Sequence, residues 1–178
     1  MESGVPPLGE PRPQARLMAP LVEVTRRYQF SAAHRLDNPR FTAEENARIY
    51  GRCNNPSGHG HTYGLAVTIR GWVSSDTGWV EDEQRLDEVV RLEVVQRFDR
   101  TNLNVRITPA DGPTSTTEVL AALLWRILDG ALPPGRLCRL RVEETPNNFF
   151  ELEREGADGS GRRIFPGPVD CGQKASSA

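Results

Sequence analysis

The chain has 178 residues, enough for one domain with its own hydrophobic core. Hydrophobic residues make up 37% of the chain and charged residues 26%, a composition typical of soluble globular proteins. The 22 basic and 24 acidic residues give a net charge of −2, so nothing favours nucleic acid or an anionic membrane as the main partner. No apolar run approaches the roughly 20 residues that span a bilayer, and the N-terminus lacks the apolar core of a signal peptide.

Cysteine usage indicates a reducing compartment. The chain has three widely spaced cysteines, Cys53, Cys138 and Cys171, and no CxxC pair. This pattern argues against a disulfide framework and against a cysteine-rich zinc knuckle. We therefore expect a cytoplasmic protein.

The two ends of the chain differ in composition from its middle. Residues 1–20 are rich in proline and glycine and show no apolar periodicity, which predicts a disordered N-terminal extension. Residues 156–178 are expected to form a flexible C-terminal tail. The sequence therefore predicts one folded domain over residues 21–155.

Alternating apolar residues predict two strands in the first part of this domain. The segment LVEVTRRYQFSAAHRL, with a polar interruption at Arg26, carries them at Val22, Val24, Tyr28 and Phe30. The segment HTYGLAVTIRGWV carries them at Leu65, Val67 and Ile69.

Two later segments have apolar residues at the spacing of an amphipathic helix. In RLDEVVRLEVVQRF they are Leu86, Val89, Val90, Val94, Val95 and Phe98, and in STTEVLAALLWRILDG they are Leu120, Leu123, Leu124, Ile127 and Leu128. Ser115 and Glu118 form a capping-box pattern at the start of the second helix, and Gly130 and Pro133 mark its end.

Two further strands are predicted around a turn. The segment RLCRLRVEETPNNFFELERE has strand-like runs on either side of TPNN, whose residues favour a turn. The predicted order is therefore β-β-α-α-β-β. It indicates an α+β fold in which a four-stranded antiparallel sheet carries two helices on one face.

The segment GRCNNPSGHGHTYG, residues 51–64, contains two of the three histidines in the chain. His59 and His61 lie two positions apart at the start of a predicted strand, so their side chains point to the same face. If the first two strands pair antiparallel, His34 at the end of the first strand comes beside them. Three histidines without a fourth protein ligand form the open coordination that catalytic zinc uses. The alternative is a solvated turn and an ordinary surface histidine, which is about as common for an isolated HxH pair.

Cys53 is separated from His59 by five residues, in a polar loop rather than an apolar helix. Beside a divalent cation its thiolate form is favoured, so it is a candidate base. It is also a candidate fourth zinc ligand, which would make the site structural, or a plain buried thiol. The spacing alone leaves these alternatives open.

The chain resembles the 6-pyruvoyl tetrahydropterin synthase family in several separate motifs. They extend over residues 26–155 and are FSAAHRL, AEENARIYGRCNNPSGHGHTYGLAVTIRG, FDRTNLN, TSTTEVLA and VEETPNNFF. A sister branch, the 6-carboxytetrahydropterin synthases of queuosine biosynthesis, typically has a shorter gap between the cysteine and HGH. The five-residue gap in this chain favours the pyruvoyl branch.

The resemblance implies a metal centre and a proton relay. The metal ion would be Zn²⁺, held by His34, His59 and His61. Cys53 would be the catalytic base, and Asp99 would work with it in proton transfer.

The resemblance also implies a substrate pocket. Glu144 would anchor the pterin, because a carboxylate accepts two parallel N–H hydrogen bonds. Thr116 and Glu118, in TSTTEVLA, would contribute to the same pocket. Without the resemblance, Glu144 would be interpreted as a solvated charge at a strand end and Glu118 as a capping glutamate.

The implied fold is the T-fold, or tunnelling fold, in which three subunits close their sheets into a barrel and two such rings stack into a hexamer with sites between subunits. The implied reaction eliminates triphosphate from 7,8-dihydroneopterin triphosphate and rearranges its side chain to give 6-pyruvoyl tetrahydropterin. It needs no nicotinamide or flavin, and no phosphate-cradling glycine fingerprint is present. The expected partners are this substrate and further copies of the chain, which would close the open sheet edges.

The chain departs from the family at position 100. The family usually has Asp-His where this chain has Asp99 and Arg100. Arginine stays protonated near neutral pH and cannot relay a proton as histidine does. Three interpretations of Arg100 follow. It is an electrostatic replacement that keeps activity, or an inactivating change that leaves a weakly active or inactive pterin-binding homologue. The third interpretation is that the protein has acquired different pterin chemistry. Formation of 6-carboxytetrahydropterin is the enzymatic alternative.

Overall fold

Two long antiparallel strands form the centre of the fold. The computed structural model describes residues 21–80 and 83–154, so the predicted extension (1–20) and tail (156–178) lie outside the described residues. Strands β1 (Leu21–His34) and β2 (His59–Trp72) pair along their whole length. Their register sets His34 opposite His59 at one end of the sheet. The predicted antiparallel pairing of these strands is confirmed.

The remaining strands extend the sheet on both sides. Strand β4 (Leu137–Thr145) pairs antiparallel with β2, and β5 (Asn148–Glu153) pairs antiparallel with β4. A two-residue strand, β3 (Thr101–Asn102), pairs parallel with β1 at its outer edge, which gives the order β3-β1-β2-β4-β5. The sheet thus has five strands and is mixed, and the prediction of four strands missed β3. Two residues are too short to show an alternating pattern, so no sequence signal marks this strand.

The helices are more numerous than the two predicted. The two long predicted segments are helical, and short helices lie beside them and after β1. In chain order they are α1 (Ala43–Tyr50), α2 (Glu83–Val90), a π-helical turn (Arg91–Val95), α3 (Gln96–Phe98), α4 (Leu103–Arg106) and α5 (Thr117–Ala131). None of the helices in the described residues is long and apolar enough to cross a membrane.

The hydrophobic core lies between the sheet and the two long helical segments. The sheet contributes Phe30, Leu65, Val67, Ile69, Leu140 and Val142, and the helices contribute Leu86, Val90, Val94, Phe98, Leu120, Leu124 and Leu128. The buried residues from Leu86 to Phe98 recur every fourth position, a longer repeat than the 3.6 residues of an α-helical turn. The wider π-helical turn takes up this difference, so that both ends of the segment keep their apolar side chains toward the sheet.

Helix α1 was not predicted from the sequence, although its start carries a recognisable signal. Thr42 caps the helix by accepting from the Glu45 backbone N–H at 3.2 Å, and the Glu45 carboxylate accepts from the Thr42 backbone N–H at 2.8 Å. This Thr-x-x-Glu spacing is a capping box. The apolar stripe that would have drawn attention to the helix is absent, because its buried residue is Asn46.

Asn46 organises the loop between β1 and β2. Its Nδ2 donates to the backbone carbonyls of Asn38, Phe41 and Thr42 at 3.0–3.2 Å. Its Oδ1 accepts from the Asn38 backbone N–H at 2.7 Å. Because a buried amide with both ends hydrogen-bonded fixes the surrounding backbone, this one side chain holds the first half of the loop that leads to Cys53.

We expect Asn46→Ala to lower the free energy of unfolding by about 2 kcal/mol, because it leaves the buried Asn38 backbone N–H without its acceptor. Urea denaturation followed by circular dichroism measures the change. Asn147→Ala is the matched control: this asparagine is exposed in the turn between β4 and β5, so the same truncation should change stability by less than about 0.5 kcal/mol. Equal effects of the two substitutions would show that Asn46 does not organise the loop.

Candidate metal centre

The three histidines meet at one end of the sheet. His34 ends β1 and His59 begins β2, and the pairing register places them directly opposite each other. Their Nε2 atoms are 3.1 Å apart. His61 lies two residues further along β2 on the same face, so one potential ligand atom from each ring lies within 4.8 Å of the other two. The prediction that strand pairing gathers these residues is confirmed.

His34 is held in place by the segment that precedes α5. Its side chain is only 1% exposed, and its Nδ1 lies 2.9 Å from the Ser115 backbone carbonyl. A carbonyl only accepts, so Nδ1 is the donor, and in the neutral ring the Nε2 lone pair then faces His59. A backbone carbonyl on the far nitrogen is the usual way in which proteins orient a metal-binding histidine.

Ser115 therefore has a different role from the predicted one. The helix cap is Thr116, whose hydroxyl accepts from the Val119 backbone N–H at 3.4 Å, and the predicted capping box of Ser115 with Glu118 does not form. Ser115 is buried, with its carbonyl facing His34 and its hydroxyl 3.4 Å from the Arg35 carbonyl. Because Ser115 is engaged in this way, the helix begins one residue later.

The electrostatic environment keeps the histidine rings neutral. Burial lowers the pKa of His34, His59 and His61 and is the largest cause for each of them. Glu144 raises each pKa by its negative charge, but less than burial lowers it. A neutral imidazole has a lone pair to give to a metal ion, so these rings are in the form that binds metal near pH 7.

Unpaired buried nitrogens support a metal-binding role for this cluster. His59 Nδ1 and His61 Nε2 are buried without a hydrogen-bond partner among the described residues. A buried polar atom without a partner is costly, and a cation held by imidazole nitrogens would remove this cost for His61. Three neutral imidazoles on rigid strand ends fit Zn²⁺, which prefers nitrogen ligands in a tetrahedral arrangement.

Glu144 reaches the same cluster from β4. Its Oε1 lies 3.5 Å from His34 Nε2 and 3.7 Å from His61 Nε2. Its Oε2 accepts from Asn148 Nδ2 at 2.7 Å, across the turn between β4 and β5. The alternative interpretation of Glu144 as a solvated strand-end charge is therefore wrong, since its side chain is 15% exposed and faces the histidines.

Tyr63 forms the floor of the site and was not predicted as a site residue. It is fully buried, stacks on Phe30 with ring centroids 5.3 Å apart, and packs its ring edge-on to His61 at 5.7 Å. Burial, and next the negative charge of Glu144, raise the pKa of Tyr63, so its hydroxyl stays protonated. The signal that marks Tyr63 is its position two residues after His61, which places it on the same strand face.

Cys53 lies in the loop that precedes β2. It lies half-buried in the 3₁₀ turn Gly51–Asn54, and its backbone carbonyl accepts from the Leu36 N–H at 2.8 Å. Leu36 lies two residues after His34, so this hydrogen bond holds the turn beside the histidine end of β1. The loop thus brings Cys53 to the same end of the sheet as the histidines.

Asp99 and Arg100 lie at the outer edge of β1. Asp99 Oδ1 accepts from the Ser31 backbone N–H at 2.7 Å, and the Arg100 backbone N–H donates to the Ser31 carbonyl at 2.5 Å. Arg100 has a left-handed backbone with φ of +54°, and its side chain is 90% exposed with Nε 3.6 Å from Asp99 Oδ2. The Asp99 side chain therefore contacts Ser31 and Arg100, and the Arg100 side chain contacts Asp99. Within the described residues, neither side chain has a hydrogen bond or ion pair with the histidine cluster.

The two predicted pocket residues of α5 occupy its N-terminal end. Thr116 uses its hydroxyl to cap the helix, as described above, and Glu118 is exposed in the first turn. A carboxylate in the first turn is favoured by the helix dipole. The proximity of this helix end to the cluster comes from the hydrogen bond between Ser115 and His34.

We expect the free energy of unfolding of the metal-free protein to fall as the pH is lowered from about 7.5 to about 5.5. The pKa of each histidine is lower in the folded chain than in the unfolded chain, so the unfolded chain binds more protons as the pH passes through about 6.5. Urea denaturation at each pH measures the slope. All histidines of the chain lie in this cluster, so His61→Gln should reduce it, and a flat profile would contradict the assigned environment.

Comparison with known proteins agrees with this geometry. A family model described as 6-pyruvoyl tetrahydropterin synthase matches residues 23–155. The 6-pyruvoyl tetrahydrobiopterin synthase of Homo sapiens is 39% identical to the chain over 133 residues, covering 75% of this chain and 92% of that protein. The Drosophila melanogaster protein of the same name is 37% identical over 132 residues, covering 74% of this chain and 79% of that protein.

Solved structures give the same result. The 6-pyruvoyl tetrahydropterin synthase of Caenorhabditis elegans is 34% identical, with a TM-score of 0.72 over 78% of this chain and 99% of that one. The Plasmodium vivax structure, 17% identical with a TM-score of 0.54 over 76% of this chain and 98% of that one, shares the fold. The chain therefore has the T-fold and belongs to the 6-pyruvoyl tetrahydropterin synthase family.

Proposed function

We propose that this chain is a zinc-dependent lyase that converts 7,8-dihydroneopterin triphosphate into 6-pyruvoyl tetrahydropterin, with elimination of triphosphate. The observation that carries the proposal is the cluster of three neutral, partly buried histidines, in a chain that belongs to this family. The names of its relatives support the same product. No external oxidant or reductant is required, because oxidation of one side-chain hydroxyl to a ketone supplies the two electrons that reduce the ring from dihydro to tetrahydro, and loss of triphosphate followed by tautomerisation gives the second ketone and the methyl group.

The metal ion would be held by His34, His59 and His61. When bound, Zn²⁺ supplies Lewis-acid chemistry that acidifies C–H bonds next to the oxygens of the substrate side chain. The protein contributes rigid placement, because His34 is fixed by Ser115 and the other two rings stand on β2. Asn46 and the loop that it organises contribute the approach of Cys53.

Cys53 would move the proton between carbons of the substrate side chain. A thiol near a divalent cation loses its proton more readily, because the cation favours the thiolate. Its half-buried position in a 3₁₀ turn leaves it accessible to a bound ligand. Tyr63, which stays protonated below the histidines, keeps this end of the core closed to bulk water.

Glu144 would bind the pterin ring. Its carboxylate can accept two parallel hydrogen bonds from an N–H and an amino group, which distinguishes a pterin from a ring without these donors. Thr116 and Glu118, at the N-terminal end of α5, would line the same pocket. Asn148 keeps the carboxylate oriented through the hydrogen bond to its Oε2.

We further propose that the active form is a cytoplasmic homohexamer built as a dimer of trimers. Both outer edges of the sheet, formed by β3 and β5, have no neighbouring strand among the described residues. Open edges of this kind are stabilised when another copy covers them. Asp99 and Arg100 lie at the β3 edge and have no contact with the histidines of their own chain, so assembly would bring them to the site of another copy.

Incubation of the zinc-loaded protein with 7,8-dihydroneopterin triphosphate tests the proposed reaction. We expect 6-pyruvoyl tetrahydropterin and triphosphate, identified by mass spectrometry, and no product after zinc is removed. Cys53→Ala should lower turnover by about 10²- to 10⁴-fold, the usual effect of losing a positioned base. A carboxylated pterin with acetaldehyde would instead assign the chain to 6-carboxytetrahydropterin synthesis.

Arg100→His should raise turnover at least about tenfold, because it supplies the titrating group that arginine lacks. Steady-state rates of the two proteins, measured at equal zinc content, provide the comparison. Arg106→His, on the exposed face of α4, is the control for adding a histidine elsewhere and should leave the rate unchanged. If the natural chain is already as fast as Arg100→His, the arginine is an electrostatic replacement and not a loss.

A further inference from the structure

A polar groove crosses the centre of the sheet on the face opposite the hydrophobic core. It has a volume of about 440 Å³, and the side chains that line it are Arg27 and Gln29 from β1, Gly64 and Ala66 from β2, and Arg141 and Glu143 from β4. The strand register sets Arg27 and Arg141 on either side of Ala66. Side chains alternate along a strand, so those of His59 and His61 point to the other face. The groove is therefore separate from the metal centre.

Two small residues give the groove its depth. Gly64 has no side chain, and a Cβ atom added there would lie 3.3 Å from the Cβ atom of Glu143, closer than most such contacts. Ala66 places only a methyl group between Arg27 and Arg141. These arginines stand on the two strands that flank β2, so their backbones are about 9.5 Å apart. Their long side chains can therefore approach one ion above Ala66 from both sides.

The side chain of Arg27 differs in its contacts from those of Arg70 and Arg139 on the same face. Arg27 is exposed, and its side chain has no hydrogen bond or ion pair with any residue that the structure describes. In contrast, Arg70 is paired with Glu23, and Arg139 Nε donates to Glu153 Oε1 at 2.6 Å. A guanidinium carries five N–H donors, and those of Arg27 are available to a ligand.

The guanidinium of Arg141 is held in place but incompletely hydrogen-bonded. Its central carbon lies 3.5 Å from the centre of the Phe149 ring, a cation–π contact that orients the group. Its Nε is buried without a partner among the described residues. Glu143 Oε2 lies 3.5 Å from Nη2, and Glu151 Oε1 lies 3.9 Å from Nη1. Both distances exceed the 2.7–3.2 Å of an ordinary N–H···O hydrogen bond, so Arg141 retains donors for a ligand.

The charged groups of the groove select one class of ligand. Two guanidiniums favour an oxyanion, because their N–H groups match the oxygens of phosphate or sulfate. Glu143 narrows this choice, since an ionised carboxylate only accepts hydrogen bonds. It repels sulfate, which carries no proton, and can accept a hydrogen bond from an anion that keeps one. Inorganic phosphate keeps at least one P–OH group near neutral pH.

We propose that this groove is a binding site for inorganic phosphate, in which Arg27 and Arg141 donate to phosphate oxygens and Glu143 accepts from the P–OH group. No covalent bond forms or breaks on binding. Phosphate binding here is independent of the proposed reaction, because the groove and the histidines lie on opposite faces of the sheet. Recognition of the proton distinguishes phosphate from sulfate, and free phosphate from a phosphate ester that has lost both protons.

Isothermal titration calorimetry of the zinc-loaded protein with phosphate, sulfate and phenyl phosphate tests the site. At about pH 7.5 phenyl phosphate is mostly without a proton, since the second pKa of a phosphate ester is about 6. We expect phosphate to bind at least about tenfold more tightly than either of the other anions, the effect of one hydrogen bond to a charged group. Equal affinities for the three anions, or no binding of phosphate, would overturn the proposal.

Arg27→Gln locates the bound phosphate. The exposed Arg27 side chain has no partner among the described residues, so its loss should leave the fold intact and weaken phosphate binding at least about tenfold. Arg91→Gln is the matched control. It makes the same change of charge at a side chain that is 54% exposed and 3.9 Å from Glu88, in a helical segment on the other side of the sheet, and should not alter the affinity. If Arg27→Gln binds phosphate as tightly as the natural chain, the ion lies elsewhere, such as at the zinc ion, and the proposal fails.

Glu143→Gln tests recognition of the proton. Its amide can donate to any oxyanion, so sulfate should bind as tightly as phosphate, and the preference of the natural chain should disappear. Circular dichroism and zinc content should match those of the natural chain, because Glu143 has only the long contact with Arg141 to lose. A preference for phosphate that survives this substitution would contradict the role assigned to Glu143.

Discussion

The antiparallel register of β1 and β2 is the constraint on which the site depends. It sets His34, the last residue of one strand, opposite His59, the first residue of the next. A shift of this register by one residue would turn every side chain of a strand to the other face and separate the rings. The same alternation that buries Leu65, Val67 and Ile69 therefore fixes where His59 and His61 point. Core packing and the gathering of the histidines follow from one geometric rule.

The polar end of the core is stabilised by backbone and side-chain partners. The Ser115 carbonyl orients His34, and Asn148 orients Glu144. Asn46 holds the loop that leads to Cys53 without contacting the site. In the described residues, three of the five buried side-chain atoms without a partner, His59 Nδ1, His61 Nε2 and the Tyr63 hydroxyl, lie at this end of the core, and the other two belong to Thr117 and Arg141. Since unpaired buried groups reduce stability, their concentration here indicates that the ligand-free site is less stable than the rest of the core.

Position 100 shows how one residue can satisfy the fold through its backbone while its side chain points away from the core. The backbone of Arg100 has a left-handed conformation and bonds to Ser31, while its side chain extends into solvent. Because the contacts with Ser31 are made by the backbone, they do not require an arginine side chain at this position. The exposed side chain at a sheet edge can matter only to what lies beyond that edge.

The sequence by itself determined the four long strands, the two long helical segments and the three histidines as a group, because alternation, helical spacing and the HGH pair are local patterns. It did not reveal β3, which is only two residues long, or α1, whose buried residue is polar. It also did not reveal Tyr63, whose pattern in the sequence is that of an ordinary core residue. The surroundings of Ser115 and Glu144 were also decided only by tertiary structure. Local spacing indicated a capping box for Ser115, yet its carbonyl faces His34, and the Glu144 carboxylate faces nitrogens on two other strands. Contacts between residues far apart in the chain depend on how strands and helices pack, and no local pattern encodes them.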